Sequence, residues 1–242
     1  MVGLASVASI SPAGAAGLRL LGVGVGIGGA AGSVVPSCPG KPCVVVTAAT
    51  GFQAAVAGHH SAMTVGRPGR VTSWRIVLAA PSAAQVAYFD QLTHGPARAG
   101  LVVLRHAVDY GFRLIDASPL VMLAPFFGRT MTFDLDRPLP VRTGDILALT
   151  VPTWAPALAT GLDQDTGWRA SRSRSACNDV ITPTAQLAFG ALTQYECVYT
   201  TVRLAYGATV TDAPATVSPP APTYLLQQTS DAAPPAPSAP PA

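Results

Sequence analysis

The sequence predicts an all-β protein, a two-sheet antiparallel β-sandwich of jelly-roll-like type. Lys41 is the only lysine and Glu196 the only glutamate among the 242 residues, so the chain lacks two residue types that commonly build exposed helix faces. Short runs rich in valine, threonine and aromatic residues recur between turn signals, which is typical of sandwich domains. Prolines such as Pro96 and Pro125 interrupt the chain at intervals that suit short strands.

Residues 1–32 resemble a signal-peptide leader. Arg19 is their only charged residue, the apolar stretch 20–27 follows it, and small residues precede a cleavage position near Gly32. Earlier cleavage, around residues 13–16, is the alternative. The apolar stretch is shorter than the ~20 residues that span a bilayer, so no transmembrane anchor is predicted.

Four cysteines form two local pairs, and the first pair begins in the linker 33–42. Three connectivities are open to four cysteines. Local pairing, Cys38 with Cys43 and Cys177 with Cys197, is favoured because each bond closes a short loop. A zinc site is disfavoured because the spacing lacks paired C-x2-C motifs. Two structural disulfides indicate an oxidising compartment, and therefore an extracellular or cell-envelope location.

The β-sandwich domain is predicted to span residues 43–211. Apolar and β-branched runs bounded by turn residues define its strands. We expect strands at 43–47, 52–56, 71–79, 85–89, 100–106, 112–116, 130–135, 145–151, 186–189, 195–200 and 202–210.

A tail rich in proline and alanine occupies residues 212–242. It lacks the apolar periodicity that offsets the entropy of ordering, so the sequence predicts a disordered segment with polyproline II character. Its role as a solvated tail is favoured over a role as a partner's ligand.

Charge and motif content exclude several function classes. The net charge of +3 comes from scattered arginines, which does not indicate a nucleic-acid partner. No phosphate-binding loop, dinucleotide fingerprint, serine-hydrolase elbow or zinc-protease helix is present, so no cofactor is predicted. The chemistry that the sequence offers favours a protein that is not an enzyme.

Two carboxylate pairs are the candidates for a metal or a catalytic site. Asp163 and Asp165 resemble the opening of a calcium loop but lack its closing glutamate, which leaves an ordinary turn as the alternative. Asp134 and Asp136 alternate on a strand and would share one face, as a paired acid and base of a hydrolase could. An ion pair with the adjacent Arg137 is the simpler explanation for them.

An arginine cluster is the main candidate for ligand binding. Arg172 and Arg174 would share a strand face and could hold carboxylate, sulfate or phosphate, with Arg169 beside them. Trp168 and Trp154 offer aromatic planes that stack on sugars. These residues predict a glycan or an anionic cell-surface polymer as the partner, against the alternative of a solubilising loop and core aromatics.

Several motifs together resemble a group of uncharacterised secreted actinobacterial proteins. They are Cys38-Pro39-Gly40-Lys41-Pro42-Cys43, Thr150-Val151-Pro152-Thr153-Trp154-Ala155-Pro156-Ala157-Leu158, Trp168-Arg169-Ala170-Ser171-Arg172, Tyr195-Glu196-Cys197-Val198-Tyr199 and Leu204-Ala205-Tyr206-Gly207-Ala208-Thr209. The resemblance implies secretion and a β domain. It implies no catalytic residue.

The sequence therefore predicts a secreted, non-catalytic β-sandwich that serves as an envelope-associated binding or structural module. Two alternatives stay open. One is a carbohydrate-active hydrolase, and the other is a viral or assembly subunit of jelly-roll type.

Overall fold

The computed structural model describes residues 18–21, 34–179 and 181–212. These residues form fifteen strands, one α-helix and two 3-10 helices. The strands are β1 (Leu18–Leu21), β2 (Val46–Val56), β3 (His59–His60), β4 (Gly69–Val77), β5 (Arg98–His106), β6 (Gly111–Ala117), β7 (Val121–Met122), β8 (Thr130–Val141), β9 (Ile146–Ala155), β10 (Leu158–Ala159), β11 (Gly167–Ala170), β12 (Leu192–Gln194), β13 (Cys197–Thr200), β14 (Arg203–Leu204) and β15 (Tyr206–Asp212). Helix α1 spans Ala83–Leu92, and the 3-10 helices span Ala124–Phe126 and Arg174–Ala176.

Two main antiparallel sheets pack against each other. The large sheet has the order β12-β6-β5-β9-β2-β11-β13, with β3 paired to β2 and β7 paired to β5. The small sheet has the order β1-β15-β4-β8, and β10 pairs separately with β14. The predicted all-β antiparallel sandwich is confirmed.

One hydrophobic core joins the sheets. Trp74 and Ile76 of β4 belong to the same buried cluster as Leu101 of β5 and Leu147 of β9. Tyr206, on β15, donates its hydroxyl to the carbonyl of Leu147 at 2.8 Å, so a buried hydrogen bond also links the sheets. Burial raises the pKa of Tyr206, which keeps the phenol protonated as a donor.

Helix α1 replaces the strand predicted at 85–89, so that prediction is wrong. Ser82 caps the helix: its Oγ accepts from the Gln85 N–H at 3.3 Å, and Gln85 Oε1 accepts from the Ser82 N–H at 2.8 Å. This capping box follows from the Ser-x-x-Gln spacing. The apolar run that follows Ser82 predicts a strand only because a run of this length is compatible with either a strand or a helix.

Other strand predictions differ in their extent. The predicted strands 43–47 and 52–56 correspond to one continuous strand, β2, which begins only at Val46 and whose register shifts beside Ala48 at φ +40°. No strand occurs at 186–189, where a turn leads into Gly190. Strand β8 runs beyond residue 135 through Pro138 and Pro140, which is compatible with its position at the edge of the small sheet.

Both predicted disulfides are confirmed. Cys38 and Cys43 are bonded with their Cα atoms 4.4 Å apart, and Cys177 and Cys197 are bonded with their Cα atoms 5.2 Å apart. The second bond joins the residue that ends a 3-10 helix to the first residue of β13.

The predicted leader and tail fall mostly outside the described residues. Of residues 1–32, only β1 is described, and it pairs with β15 along Leu18–Leu21. The tail beyond Asp212 also lies outside. Within the described part of the chain, no helix is both long and apolar enough to cross a membrane.

An ion pair connects strand β8 of the small sheet with strand β6 of the large sheet. Arg137 of β8 donates to both oxygens of Asp116 on β6, at 2.9 and 2.6 Å. The predicted pairing of Arg137 with its neighbours Asp134 and Asp136 therefore gives way to a partner across the sandwich. The guanidinium of Arg137 is the main reason that the pKa of Asp116 lies below its usual value.

We expect this ion pair to make stability depend on pH. A lowered folded-state pKa stabilises the fold above the unfolded-state value, near 3.8, and this contribution disappears as the pH falls through the folded-state pKa. The difference in unfolding free energy between the wild type and Asp116→Asn should therefore shrink below about pH 4. Urea unfolding between about pH 6 and pH 2 measures it. A difference that stays constant over this range contradicts the prediction.

The two disulfides should stabilise the protein unequally. In the chain-entropy model, closing the loop from Cys177 to Cys197 contributes about 3 kcal/mol and closing the loop from Cys38 to Cys43 about 2 kcal/mol. Urea unfolding of the double variants Cys177→Ala/Cys197→Ala and Cys38→Ala/Cys43→Ala compares them directly. The reverse order would show that native contacts, rather than loop length, determine the effect.

Candidate functional site

A groove of about 400 Å³ lies along the β11–β13 side of the large sheet. This volume falls within the range of about 300–1,000 Å³ that is usual for small-molecule sites. We call it the valine groove. It is lined by Val44, Val45, Val46, Thr47, Leu158, Trp168, Arg172, Val198, Tyr199, Thr200 and Val202.

Strand pairing brings two aromatic rings together in the groove. Trp168 on β11 is in register with Tyr199 on β13, and their ring centroids are 5.0 Å apart. On the other side of β11, Gly51 of β2 lies so close to the indole that a Cβ at this position would overlap the ring. The absence of a side chain at Gly51 therefore allows Trp168 to pack into the sheet.

The indole N–H of Trp168 has no hydrogen-bond partner among the described residues. The side chain is 5% exposed and its Nε1 atom is buried. Leaving such a donor unsatisfied costs about 1–3 kcal/mol. In the ligand-free molecule the surrounding side chains cover this nitrogen, so an acceptor reaches it only when these side chains shift.

Arg172 is a buried cation that lacks a carboxylate partner. It is 3% exposed, and its Nη2 donates to the Thr47 carbonyl at 2.9 Å while Nη1 lies 3.5 Å from the Tyr199 hydroxyl. Its Nε has no hydrogen-bond partner in the part of the chain that the structure describes. Among the described residues, no carboxylate forms an ion pair with it. Asp179 has a lowered pKa, but mainly through hydrogen bonds from Thr182, and Arg172 contributes least.

The second disulfide helps to hold this arrangement. Tyr199 donates its hydroxyl to the carbonyl of Cys177 at 2.7 Å, and Cys177 is bonded to Cys197, two residues before Tyr199. Backbone contacts add to this, because the carbonyl of Arg172 accepts from the Glu196 N–H at 2.9 Å. The backbone that carries Arg172 is therefore fixed against β13.

Of the five residues predicted to bind ligand, Trp168 and Arg172 line the groove together. Arg174 does not share a strand face with Arg172, because β11 ends at Ala170 and Arg174 begins an exposed 3-10 helix. The backbone N–H of Arg174 donates to Glu196 Oε2 at 2.8 Å.

Arg169 lies next to the groove, but its guanidinium contacts Tyr110 and Tyr195 instead. Its guanidinium stands 4.2 Å from the ring centroid of Tyr110, and its Nη1 donates to the Tyr195 carbonyl at 2.8 Å. Burial lowers the pKa of Arg169. It lines a smaller cavity of about 280 Å³, together with His60 and Asp165.

Trp154 is a core residue and cannot stack on a ligand at the surface. It is 0% exposed, and its Nε1 donates to Asp90 Oδ1 of helix α1 at 2.7 Å. Phe89 and Phe127 pack on its ring, with centroids 5.1 and 5.6 Å away. Its indole N–H is therefore satisfied, whereas that of Trp168 is not.

Sequence reasoning missed the apolar wall of the groove. Val44, Val45 and Val46 form it, directly after Cys43. A run of three valines resembles any buried strand, so the sequence carried no signal that this run would border a cavity.

A second cleft of about 480 Å³ lies where β6 and β8 face each other. Asp134 and Asp136 both line it, which agrees with their alternation on one strand. Three exposed apolar residues, Leu120, Leu187 and Phe189, also border the cleft. The predicted acid pair therefore lies in a cavity of the described part of the chain.

Asp163 and Asp165 lie in the turn before β11. Their backbone carbonyls accept from the N–H groups of Thr166 and Gly58, at 3.0 and 3.1 Å. Within the described ranges, no group of three or more His, Cys, Asp or Glu side chains could hold a metal ion.

No family model, curated protein or solved structure matches the chain. The resemblance to secreted actinobacterial proteins stays a prediction.

Replacing Arg172 should cost little stability, because its buried charge is not compensated. We expect Arg172→Met to unfold within about 1 kcal/mol of the wild type, or to be more stable. Arg105→Met is the matched control: Arg105 bonds both oxygens of Asp145, which is 1% exposed, at 2.8 and 2.9 Å. Its loss leaves the buried carboxylate with the Arg142 N–H as its remaining donor and should cost at least about 1–3 kcal/mol. Equal losses in urea unfolding would contradict this account of Arg172.

Proposed function

We propose that the protein is a non-catalytic binding module of an extracellular or cell-envelope compartment, and that the valine groove is its ligand site. The two disulfides support an oxidising compartment. One observation carries the site: Trp168 Nε1 and Arg172 Nε are buried donors without partners, and their side chains line the same groove.

The groove favours an amphiphile with an anionic head. The Arg172 guanidinium fits a carboxylate, sulfate or phosphate. The valines and Leu158 offer no hydrogen bonds from their side chains, so the rest of the ligand should be apolar. A charged acceptor at the head would satisfy both unused donors and offset the cost of keeping them buried.

A glycan or an anionic cell-surface polymer is the partner that the residue pattern predicts. Its anionic groups suit Arg172, and its sugar rings could stack on Tyr199. The apolar wall argues against it, because sugars need many polar contacts and Thr47 and Thr200 are the only other polar side chains that line the groove. The amphiphile is therefore the first choice, and the glycan is tested beside it.

The hydrolase alternative depends on the second cleft, where Asp134 and Asp136 lie. Glycosidases place their two carboxyl groups on either side of the scissile bond. Here both groups come from one strand, and Asp116 on the facing strand β6 does not line the cleft and is held by Arg137. This arrangement supports a binding module better than a hydrolase.

Calorimetric titration with three probes tests the proposal. We expect decanoate to bind, decanol to bind at least about tenfold more weakly, and an oligogalacturonate not to bind. Arg172→Met should weaken decanoate binding by at least about tenfold, because one charge-assisted hydrogen bond contributes about 1.5–3 kcal/mol. Arg174→Met is the matched control, since Arg174 is exposed outside the groove, and it should bind decanoate as the wild type does.

Each other result contradicts part of the proposal. Equal binding of decanol and decanoate would show that the ligand does not need an anionic head. If oligogalacturonate binds and decanoate does not, the ligand is an anionic glycan rather than an amphiphile. Failure of all three probes contradicts the groove as the site of an anionic ligand.

A further inference from the structure

The two edges of the small sheet differ in how they are protected. Strand β8 forms one edge and contains Pro138 and Pro140, together with Asp134, Asp136 and Arg137. Prolines remove backbone donors, and charges oppose the approach of another strand. The free edge of β8 is therefore a poor template for further pairing.

Strand β15 has none of these protections. Its sequence from Tyr206 to Asp212 contains no proline, and its only charge is at the last residue. Thr209, Val210 and Thr211 are β-branched and favour strand pairing. Left open, such an edge readily accepts another strand.

Strand β1 covers this edge. It pairs antiparallel with β15 in an unbroken register from Leu18 opposite Thr211 to Leu21 opposite Ala208. The edge of β15 is thus a site that accepts an added strand, and the strand comes from a part of the chain far from β15 in sequence.

The covering strand is short and has a long connection. It has four residues, and twelve residues, 22–33, separate it from Val34. Edge strands of this length contribute few hydrogen bonds and are only marginally stable on their own.

We propose that β1 is an exchangeable strand in a chain that keeps Leu18–Leu21, as cleavage of the leader around residues 13–16 leaves it: the β15 edge of one copy accepts Leu18–Leu21 of a second copy in the register seen within one chain. A second copy is the occupant because its strand is identical to the one that already fits the edge. Exchange of an identical element reuses existing contacts and costs little. This inference is independent of the valine groove and gives the molecule a route to self-assembly.

Disulfide trapping between copies tests the exchange. Leu20 and Thr209 face each other in the register. Facing residues in antiparallel strands have Cα atoms about 4.5–5.5 Å apart, a separation that a disulfide can bridge. Leu20→Cys and Thr209→Cys are prepared as separate full-length proteins, mixed, and oxidised. We expect a disulfide-linked heterodimer whose yield rises with protein concentration.

Two controls make the result decisive. Thr132→Cys, on the β8 edge of the same sheet, replaces Thr209→Cys in a parallel mixture and should give several-fold less heterodimer. The double variant Leu20→Cys/Thr209→Cys, at high dilution, should form the bond within one chain. If the disulfide forms only within one chain of the double variant, and the Leu20→Cys/Thr209→Cys mixture gives no more heterodimer than the Thr132→Cys control, the proposed strand exchange is contradicted. Absence of both bonds overturns the pairing of β1 with β15 as well.

Discussion

The valine groove depends on how an irregular segment is tied to the large sheet. Apart from one 3-10 helix, the described residues between Ser171 and Ala191 form neither strand nor helix, so side chains must satisfy much of their backbone. Thr50 bonds to the segment twice: its N–H donates to Ser171 Oγ at 2.9 Å, and its Oγ1 accepts from the Gln186 N–H at 2.8 Å. The Gln186 amide in turn donates to the carbonyls of Phe112 and Ala191. These buried bonds fix the start of the segment, where Arg172 lies.

The same constraint explains why the molecule keeps an uncompensated charge. Ser171 is bound to β2 and the Cys177–Cys197 bond closes the segment onto β13, and the side chain of Arg172 lies between Thr47 of β2 and Tyr199 of β13. Trp168 is fixed as firmly, by Tyr199 on one side and Gly51 on the other. The backbone that carries both donors is therefore fixed, and only the side chains that cover Trp168 Nε1 have to shift for an acceptor to reach it. The stability lost in the free protein is consistent with a functional role.

Much of the architecture could be predicted from the sequence, because it follows from local patterns. The disulfides follow from cysteine spacing, and β4 shows the apolar alternation expected of a strand with one buried face, with Trp74 and Ile76 inside. Helix α1 could not be predicted with the same certainty, because an apolar run as short as 85–89 is compatible with a strand as well as with a helix. The sequence does not distinguish Trp154 from Trp168. Asp90, on the unpredicted helix α1, accepts a hydrogen bond from the indole N–H of Trp154, whereas the indole N–H of Trp168 has no partner among the described residues. The sequence also cannot show that the fold places no ion-pairing carboxylate of the described residues beside Arg172.

The central claim, that the unused donors of the groove await an acceptor, can be measured on the indole itself. The protein has three tryptophans, so its ¹H–¹⁵N spectrum contains three indole N–H signals, which Trp→Phe variants assign. During titration with decanoate, the account predicts a downfield shift of the Trp168 signal as its N–H gains an acceptor. The Trp154 signal, already bonded to Asp90, should stay in place. An unchanged Trp168 signal at saturating decanoate, or equal shifts of all three, would contradict the account.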